Sequence, residues 1–198
     1  MSLEKYNSKR HFDVTPEPEG KKAAAKDKLI FVVQRHHASH LHYDFRLELN
    51  GTLKSWAVPK GPSMNPHDKR LAMMVEDHPI DYATFEGDIP EGNYGAGHVD
   101  VWDHGTYEPI DEDGEVIKPA EFNKSLHAGN AKFRMKGKHL KGDFALVNMK
   151  KDEKTWLLLK HKDKYATEEE YNSEEYAKKS SLAYTEERNK GKKTVKKK

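Results

Sequence analysis

Leu41-His42-Tyr43-Asp44-Phe45-Arg46-Leu47-Glu48-Leu49-Asn50-Gly51-Thr52-Leu53-Lys54-Ser55-Trp56-Ala57-Val58 is the stretch on which the fold turns. From Leu41 to Leu49 apolar and polar residues alternate strictly, the period of a strand with one face buried. Asn50-Gly51 is the dipeptide that best tolerates the two positive-φ positions of a type I′ turn, so the chain reverses there. A two-residue turn sets Leu49 opposite Thr52, Leu47 opposite Lys54, Phe45 opposite Trp56 and Tyr43 opposite Val58, a face that belongs in a core. On the other face Arg46 meets Ser55 and Asp44 meets Ala57. Such small partners leave room above the polar side chains.

Working outward, further strands are predicted at Leu29–Gln34, Arg70–Glu76, His98–Trp102, Ala131–Lys136, Gly142–Met149 and Thr155–Lys160, with turn residues between them. About eight short strands without a long helical period predict a mainly β protein. A single antiparallel barrel is the expected architecture, because closure removes unpaired edges. The barrel is expected over residues 29–163. Residues 1–28, with Thr15-Pro16-Glu17-Pro18-Glu19-Gly20, read as a flexible polar arm and linker, and residues 164–198 as a charged tail, partly helical or disordered.

The 198 residues carry 35 Lys and Arg against 33 Asp and Glu, and no cysteine. Disulfides, thiol nucleophiles and Cys-type zinc fingers are thereby excluded. No stretch approaches the ~20 apolar residues of a membrane helix, and Met1-Ser2-Leu3-Glu4-Lys5 offers no secretory apolar core. A cytoplasmic protein is the expectation. The net charge of +2 becomes −4 once Lys190, Lys192, Lys193, Lys196, Lys197 and Lys198 are set aside. Binding to nucleic acid would therefore need a local patch and that tail.

The outer face of Leu41–Leu49 presents His42, Asp44 and Arg46 at steps of roughly 6.5–7 Å. Imidazole with carboxylate suits Mn²⁺, Zn²⁺ or Fe²⁺, and His36, read as lying in the preceding turn, is placed to supply a third ligand. Arg46 only donates hydrogen bonds, and its planar fork suits phosphate. A cation site beside an anion clamp points to phosphoryl chemistry. In Glu76-Asp77-His78-Pro79-Ile80-Asp81-Tyr82, a protonated His78 would hold phosphate or act as general acid, and Tyr82 would reach a non-bridging oxygen. Lys60 and Arg70 add positive charge near strand ends. Gly87–Gly97 lacks the pattern of a phosphate-cradling loop and reads as a structural turn. Trp56, Trp102 and Trp156 read as core or rim.

The run from His36 through Glu48, then Leu53-Lys54-Ser55-Trp56-Ala57-Val58-Pro59-Lys60-Gly61-Pro62-Ser63, resembles the 3′-phosphoesterase module of bacterial and archaeal ATP-dependent DNA ligase D. Glu76-Asp77-His78-Pro79, Asp81-Tyr82, Phe85-Glu86-Gly87, Tyr94-Gly95-Ala96-Gly97 and Trp156-Leu157-Leu158-Leu159-Lys160 continue the likeness. The resemblance implies a β-barrel with an exposed active-site groove and a Mn²⁺-dependent activity, Zn²⁺, Co²⁺ or another divalent ion being alternatives. That activity removes a 3′-terminal ribonucleoside and then the 3′-phosphate. It implies His36, His42 and Asp44 as metal ligands, Arg46 and His78 as phosphate contacts, Glu76 and Tyr82 as further active-site residues, and Lys60 and Arg70 as part of a basic groove. Implied partners are primer-template DNA with 3′-ribonucleotide or 3′-phosphate ends, a separate ATP-dependent ligase and polymerase or primase, and Ku. With no KxDG ligase motif in the chain, a stand-alone relative is the expectation. In Lys9-Arg10-His11-Phe12, His11 stands where the family pattern has an acidic residue. Two rivals are a non-catalytic end-binding module of the same fold and a metal-dependent barrel acting on small phosphorylated metabolites.

Overall fold

The computed structural model describes residues 2–24 and 28–195, with side chains through Arg188. Of the C-terminal lysines, Lys196, Lys197 and Lys198 lie outside the described residues, and only the backbone is described at Lys190, Lys192 and Lys193.

The predicted hairpin forms with the predicted register. Strand β2 (Leu41–Leu49) and strand β3 (Thr52–Val58) pair Leu49 with Thr52, Phe45 with Trp56 and Tyr43 with Val58. Asn50 and Gly51 take φ of 56° and 79°, as the type I′ turn requires. Strand β1 is Ile30–His37, β4 Arg70–Met74, β5 Gly87–Ile89, β6 Gly97–Ile110, β7 Asn130–Lys136, β8 Lys141–Asn148 and β9 Thr155–Lys160. Pairing runs β1-β2-β3-β4-β9-β8-β7-β6, and β6 also pairs with β1, so eight antiparallel strands close a barrel; β5 adds a ninth strand on β6. His36 is not in a turn: β1 extends past Gln34, and His36 sits inside it, directly opposite His42.

Tyr43, Phe45, Leu47, Leu49, Trp56 and Val58 fill the interior with Trp102, Phe133, Phe144 and Trp156. All three tryptophans are buried. Two caps complete the barrel. Near the Asn50-Gly51 turn, helix Pro119–Ala128 adds Phe122 and Leu126 to the core, with Phe122 beside Tyr107. Near the open end of the hairpin the C-terminal segment lies against the barrel: Thr167 N–H donates to the Met64 carbonyl (3.0 Å), Ser173 Oγ to the Pro62 carbonyl (2.7 Å) and Trp102 Nε1 to the Ser173 carbonyl (3.0 Å). Gly61 has φ +71° and its Cβ would lie 2.4 Å from Ser173 Oγ, so only glycine permits this approach. Glu174 then grips Arg35 with both carboxylate oxygens (2.8 Å each) and accepts from Tyr43 Oη at 2.5 Å. Beyond it, helix Lys179–Val195 stacks Tyr184 on His98, with centroids 4.5 Å apart. What reads as a charged tail is thus, through Arg188, a packed cap, held by polar contacts that carry no hydrophobic period.

The arm likewise differs from a flexible linker over residues 2–24. Tyr6 is fully buried against Val32, Leu53, Ile80 and Tyr82, and its hydroxyl donates to the Pro18 carbonyl (2.8 Å). Ala23 N–H reaches the Gly51 carbonyl (3.2 Å). One aromatic anchor and a few hydrogen bonds are enough to lay a polar segment over the outer face of the hairpin. No described helix is long and apolar enough to cross a membrane.

Candidate active site

Across the β1–β2 ladder, His36 faces His42, Gln34 faces Asp44 and Val32 faces Arg46. The even-numbered side chains of both strands therefore share the outer face. His36 Nδ1 lies 3.4 Å from Asp44 Oδ2, and His42 Nε2 3.6 Å from Asp44 Oδ1. The three side chains offer one ligand atom each, all within 4.8 Å of one another.

The second nitrogen of each ring identifies what this cluster accepts. His36 Nε2 is 2.8 Å from the Gly95 carbonyl, and His42 Nδ1 is 3.0 Å from the His40 carbonyl. A neutral ring nitrogen facing a carbonyl carries the proton, so the other nitrogen turns its lone pair towards Asp44. Two lone pairs and a carboxylate converge, and backbone carbonyls orient both rings as they do around bound metals. The donor set fits a divalent cation of the Mn²⁺ or Zn²⁺ type. Gly87–Gly97, expected as a structural turn, instead holds β5 and the start of β6 with a turn between them, and the carbonyl of Gly95 in that turn sets the His36 ring.

Burial would push the Asp44 carboxyl up, but the Arg46 guanidinium beside it outweighs burial and holds Asp44 below the usual carboxylate range. Arg46 is itself buried: Nε donates to Gln34 Oε1 (2.8 Å), Nη2 to Asp44 Oδ2 (3.0 Å), and the guanidinium lies 4.8 Å over the Tyr82 ring. Among the described residues, its Nη1 is buried without a hydrogen-bond partner. A buried charged donor left unmet costs about 1–3 kcal/mol or more, which an anionic oxygen would recover.

The arm completes the other side. Arg10 donates from Nε to Glu17 Oε1 (2.9 Å), from Nη1 to Glu76 Oε1 (3.5 Å), and its Nη2 lies 3.4 Å from His78 Nε2. Lys9 Nζ binds Glu76 Oε2 at 2.9 Å. Glu76 therefore holds the two cations of the arm; burial raises its carboxyl, and Lys9 and Arg10 bring it back below its ordinary value. His78 is pushed well below the ordinary imidazole value by burial and by Arg46 and Arg10. With Nδ1 on the Glu76 carbonyl (3.0 Å), it presents Nε2 as an acceptor. Burial, with the two guanidiniums beside it, therefore favours the neutral ring. Tyr82 donates to Glu17 Oε1 (3.0 Å) rather than pointing at an open space, and burial, followed by Glu17, raises its hydroxyl far above the ordinary value.

His36, His42, Asp44, Arg46, Glu76, His78 and Tyr82 are thus brought together. Lys60 is exposed, and Arg70 is engaged by Asp68 and the Tyr171 carbonyl at 2.7 Å each; neither is drawn into this group. Lys9, Arg10, Glu17 and Gln34 are additions that the sequence reading missed. Gln34 was legible, since extending β1 by one alternation sets it beside His36. The arm residues had only the Lys9-Arg10 charge pair as a signal.

The sequence profile of the DNA ligase D 3′-phosphoesterase domain matches residues 34–148, more than half of the chain. The chain belongs to this family. It is 51% identical over 166 residues to the multifunctional non-homologous end joining protein LigD of Pseudomonas aeruginosa, covering 81% of this chain and 19% of that protein. The multifunctional non-homologous end joining DNA repair protein LigD of Mycobacterium tuberculosis is 42% identical over 156 residues (78% of this chain, 19% of that protein). The LigD protein of Mycolicibacterium smegmatis is 41% identical over 176 residues (81% and 21%). The chain therefore spans about a fifth of the length of these curated relatives.

Proposed function

We propose that this protein is a divalent-metal-dependent 3′-end-healing phosphoesterase of DNA repair. It removes a 3′-terminal ribonucleoside to leave a 3′-phosphate, then hydrolyses that phosphate to a 3′-hydroxyl. The observation that carries the reading is the three-acceptor hollow of His36, His42 and Asp44 beside the unpartnered Nη1 of Arg46. Family membership and the end-joining names of the relatives supply the substrate class.

His36 Nδ1, His42 Nε2 and Asp44 would hold the ion, Mn²⁺ being our assignment, which supplies Lewis-acid polarisation of a phosphate oxygen. Arg46 Nη1 donates to a second phosphate oxygen while Nε and Nη2 stay fixed on Gln34 and Asp44, so the donor is aimed before substrate arrives. Arg10 supplies a second guanidinium beside His78. A bound phosphate, a monoanion in the diester and up to a dianion in the 3′-phosphate, opposes the two positive charges beside His78, and so favours a proton on its Nε2. That proton is then available to the leaving O5′ in the first step and to the 3′-oxygen in the second. The 3′-hydroxyl product is what a ligase or polymerase uses, so activities of those classes, with Ku at the ends, are the partners we assign, in the cytoplasm.

The test is a 5′-labelled DNA primer ending in one ribonucleotide, annealed to a longer template, with and without Mn²⁺. Metal-dependent shortening to a 3′-phosphate and then a 3′-hydroxyl is the expected result. No cleavage by folded, metal-loaded protein would overturn it in favour of an end-binding module.

A further inference from the structure

Tyr94 stands in the turn between β5 and β6, and the residue is about half exposed (48%). Most surface tyrosines have no fixed neighbours, but this one is bracketed on two sides. The next residue, Gly95, fixes His36 through its carbonyl. The ring itself carries Lys9 Nζ 4.0 Å from its centroid and the Arg10 guanidinium at 5.7 Å. Those two cations in turn hold Glu76 and approach His78. The ring therefore borders both the metal-ligand cluster and the phosphate side.

A latch for the arm would be the plain role, but the arm is already held. Lys9 is paired with Glu76, and Arg10 with Glu17, Glu76 and the Tyr6 carbonyl. One ring face answers to Lys9, while nearly half of the residue stays open to solvent. A phosphodiester seated at Arg46 and the His36–His42–Asp44 cluster has this rim beside it, through the Gly95–His36 and Lys9–Glu76 contacts. Stacking on an aromatic ring accepts every base, because each has a π face. Such a contact suits an enzyme that trims a 3′ end of any sequence.

Resting on the proposed function, we infer that Tyr94 is the stacking platform for the base of the terminal ribonucleoside, and so sets affinity for the diesterase substrate. The 3′-phosphate substrate has no base beyond its phosphate and gains nothing from this contact. Tyr94→Ala is expected to raise KM for a ribonucleotide-ended primer about 5- to 100-fold, with kcat and monoesterase kinetics changed less than about twofold. Tyr94→Phe is expected to behave as wild type. A primer ending in an abasic ribose should cost the wild type a similar factor, and Tyr94→Ala no further loss. The same comparisons are made by fluorescence-anisotropy binding, which decides the matter even if turnover is absent. Equal losses in both activities, equal losses on abasic and base-bearing ends, or no loss in binding would each overturn the inference. Sensitivity only to an abasic site in the template would do so as well. An inactive wild type that still binds base-bearing ends through Tyr94 would refute the proposed reaction while leaving this contact standing.

Discussion

Glu174 offers a sharp test of the C-terminal cap. Its carboxylate is the bidentate partner of Arg35, which is only 1% exposed, and the acceptor for Tyr43 Oη. Removing one member of a fully buried pair costs about 3–5 kcal/mol, because the other charge stays buried without compensation. The Glu174 side chain is 30% exposed and Arg35 keeps Thr185 Oγ1 at 2.9 Å, so solvent screening and this remaining bond lower the figure. For Glu174→Ala we expect a loss of about 2–3 kcal/mol. For a chain of this size that lowers the melting temperature by about 4–12 °C. Glu174→Gln keeps an acceptor for Tyr43 and should lose roughly half as much. Thermal unfolding by circular dichroism measures both.

The pH dependence supplies the control. Burial would raise the Glu174 carboxyl, but hydrogen bonds from Arg35 and Tyr43 outweigh burial and hold it below its ordinary value. A carboxyl depressed in the folded state adds stability above its unfolded pKa. That stability fades as pH falls through the folded value. The gap between wild type and Glu174→Gln should therefore be full at pH 7 and shrink as the solution is taken below about pH 4. A Glu174→Ala melting point within 1–2 °C of wild type at pH 7 (about 1 kcal/mol at most) would show that the cap is not coupled to the barrel. A gap unchanged by acid would show that charge pairing is not what couples it.

Three further outcomes are expected. Asp44→Ala and His42→Ala should each lower Mn²⁺ affinity by more than about 100-fold in calorimetric titration, beyond the loss that follows when only an orienting partner is removed; unchanged titrations would dismiss the cluster as a metal centre. Arg46→Lys keeps the charge but loses the fork that binds Gln34, Asp44 and an incoming oxygen, so KM for a 3′-phosphate primer should rise at least about tenfold; kinetics equal to wild type would remove Arg46 from phosphate binding. In Gly51→Ala the new Cβ would meet the Ala23 carbonyl oxygen at 2.1 Å at a φ of +79°, costing about 1–3 kcal/mol, and a melting point equal to wild type would mean that the arm does not lie on the turn.

The hairpin was legible because its information is local: alternation fixes the faces and Asn50-Gly51 fixes the register. His42, Asp44 and Arg46 followed from the same alternation. Helix Pro119–Ala128 was missed although its ends are marked, by Pro119 at its first position, by Glu121 accepting from the Lys118 N–H, and by Gly129 at φ 84°. Its apolar stripe is only Phe122 and Leu126, too thin to register as a period. β6 runs well past Trp102 because Asp103 anchors the neighbouring turn, taking N–H bonds from Lys138, His139 and Leu140. The arm's part in the site was illegible for another reason. Lys9 meets Glu76, and Arg10 meets His78, across 67 and 68 positions of chain, and nothing local in a polar segment says where it lands.

The grip of Glu174 on Arg35 joins residues 139 positions apart, and this has a consequence for the order in which the molecule is made. Arg35 leaves the ribosome early, on the strand that begins the barrel. At ~5–20 residues per second, its carboxylate partner follows roughly 7–28 s later. Until then the mouth beside Tyr43 and Trp102 stays open and the guanidinium is solvated. That delay favours a late sealing step, in which the segment carrying Glu174 closes the mouth after the barrel strands have been made.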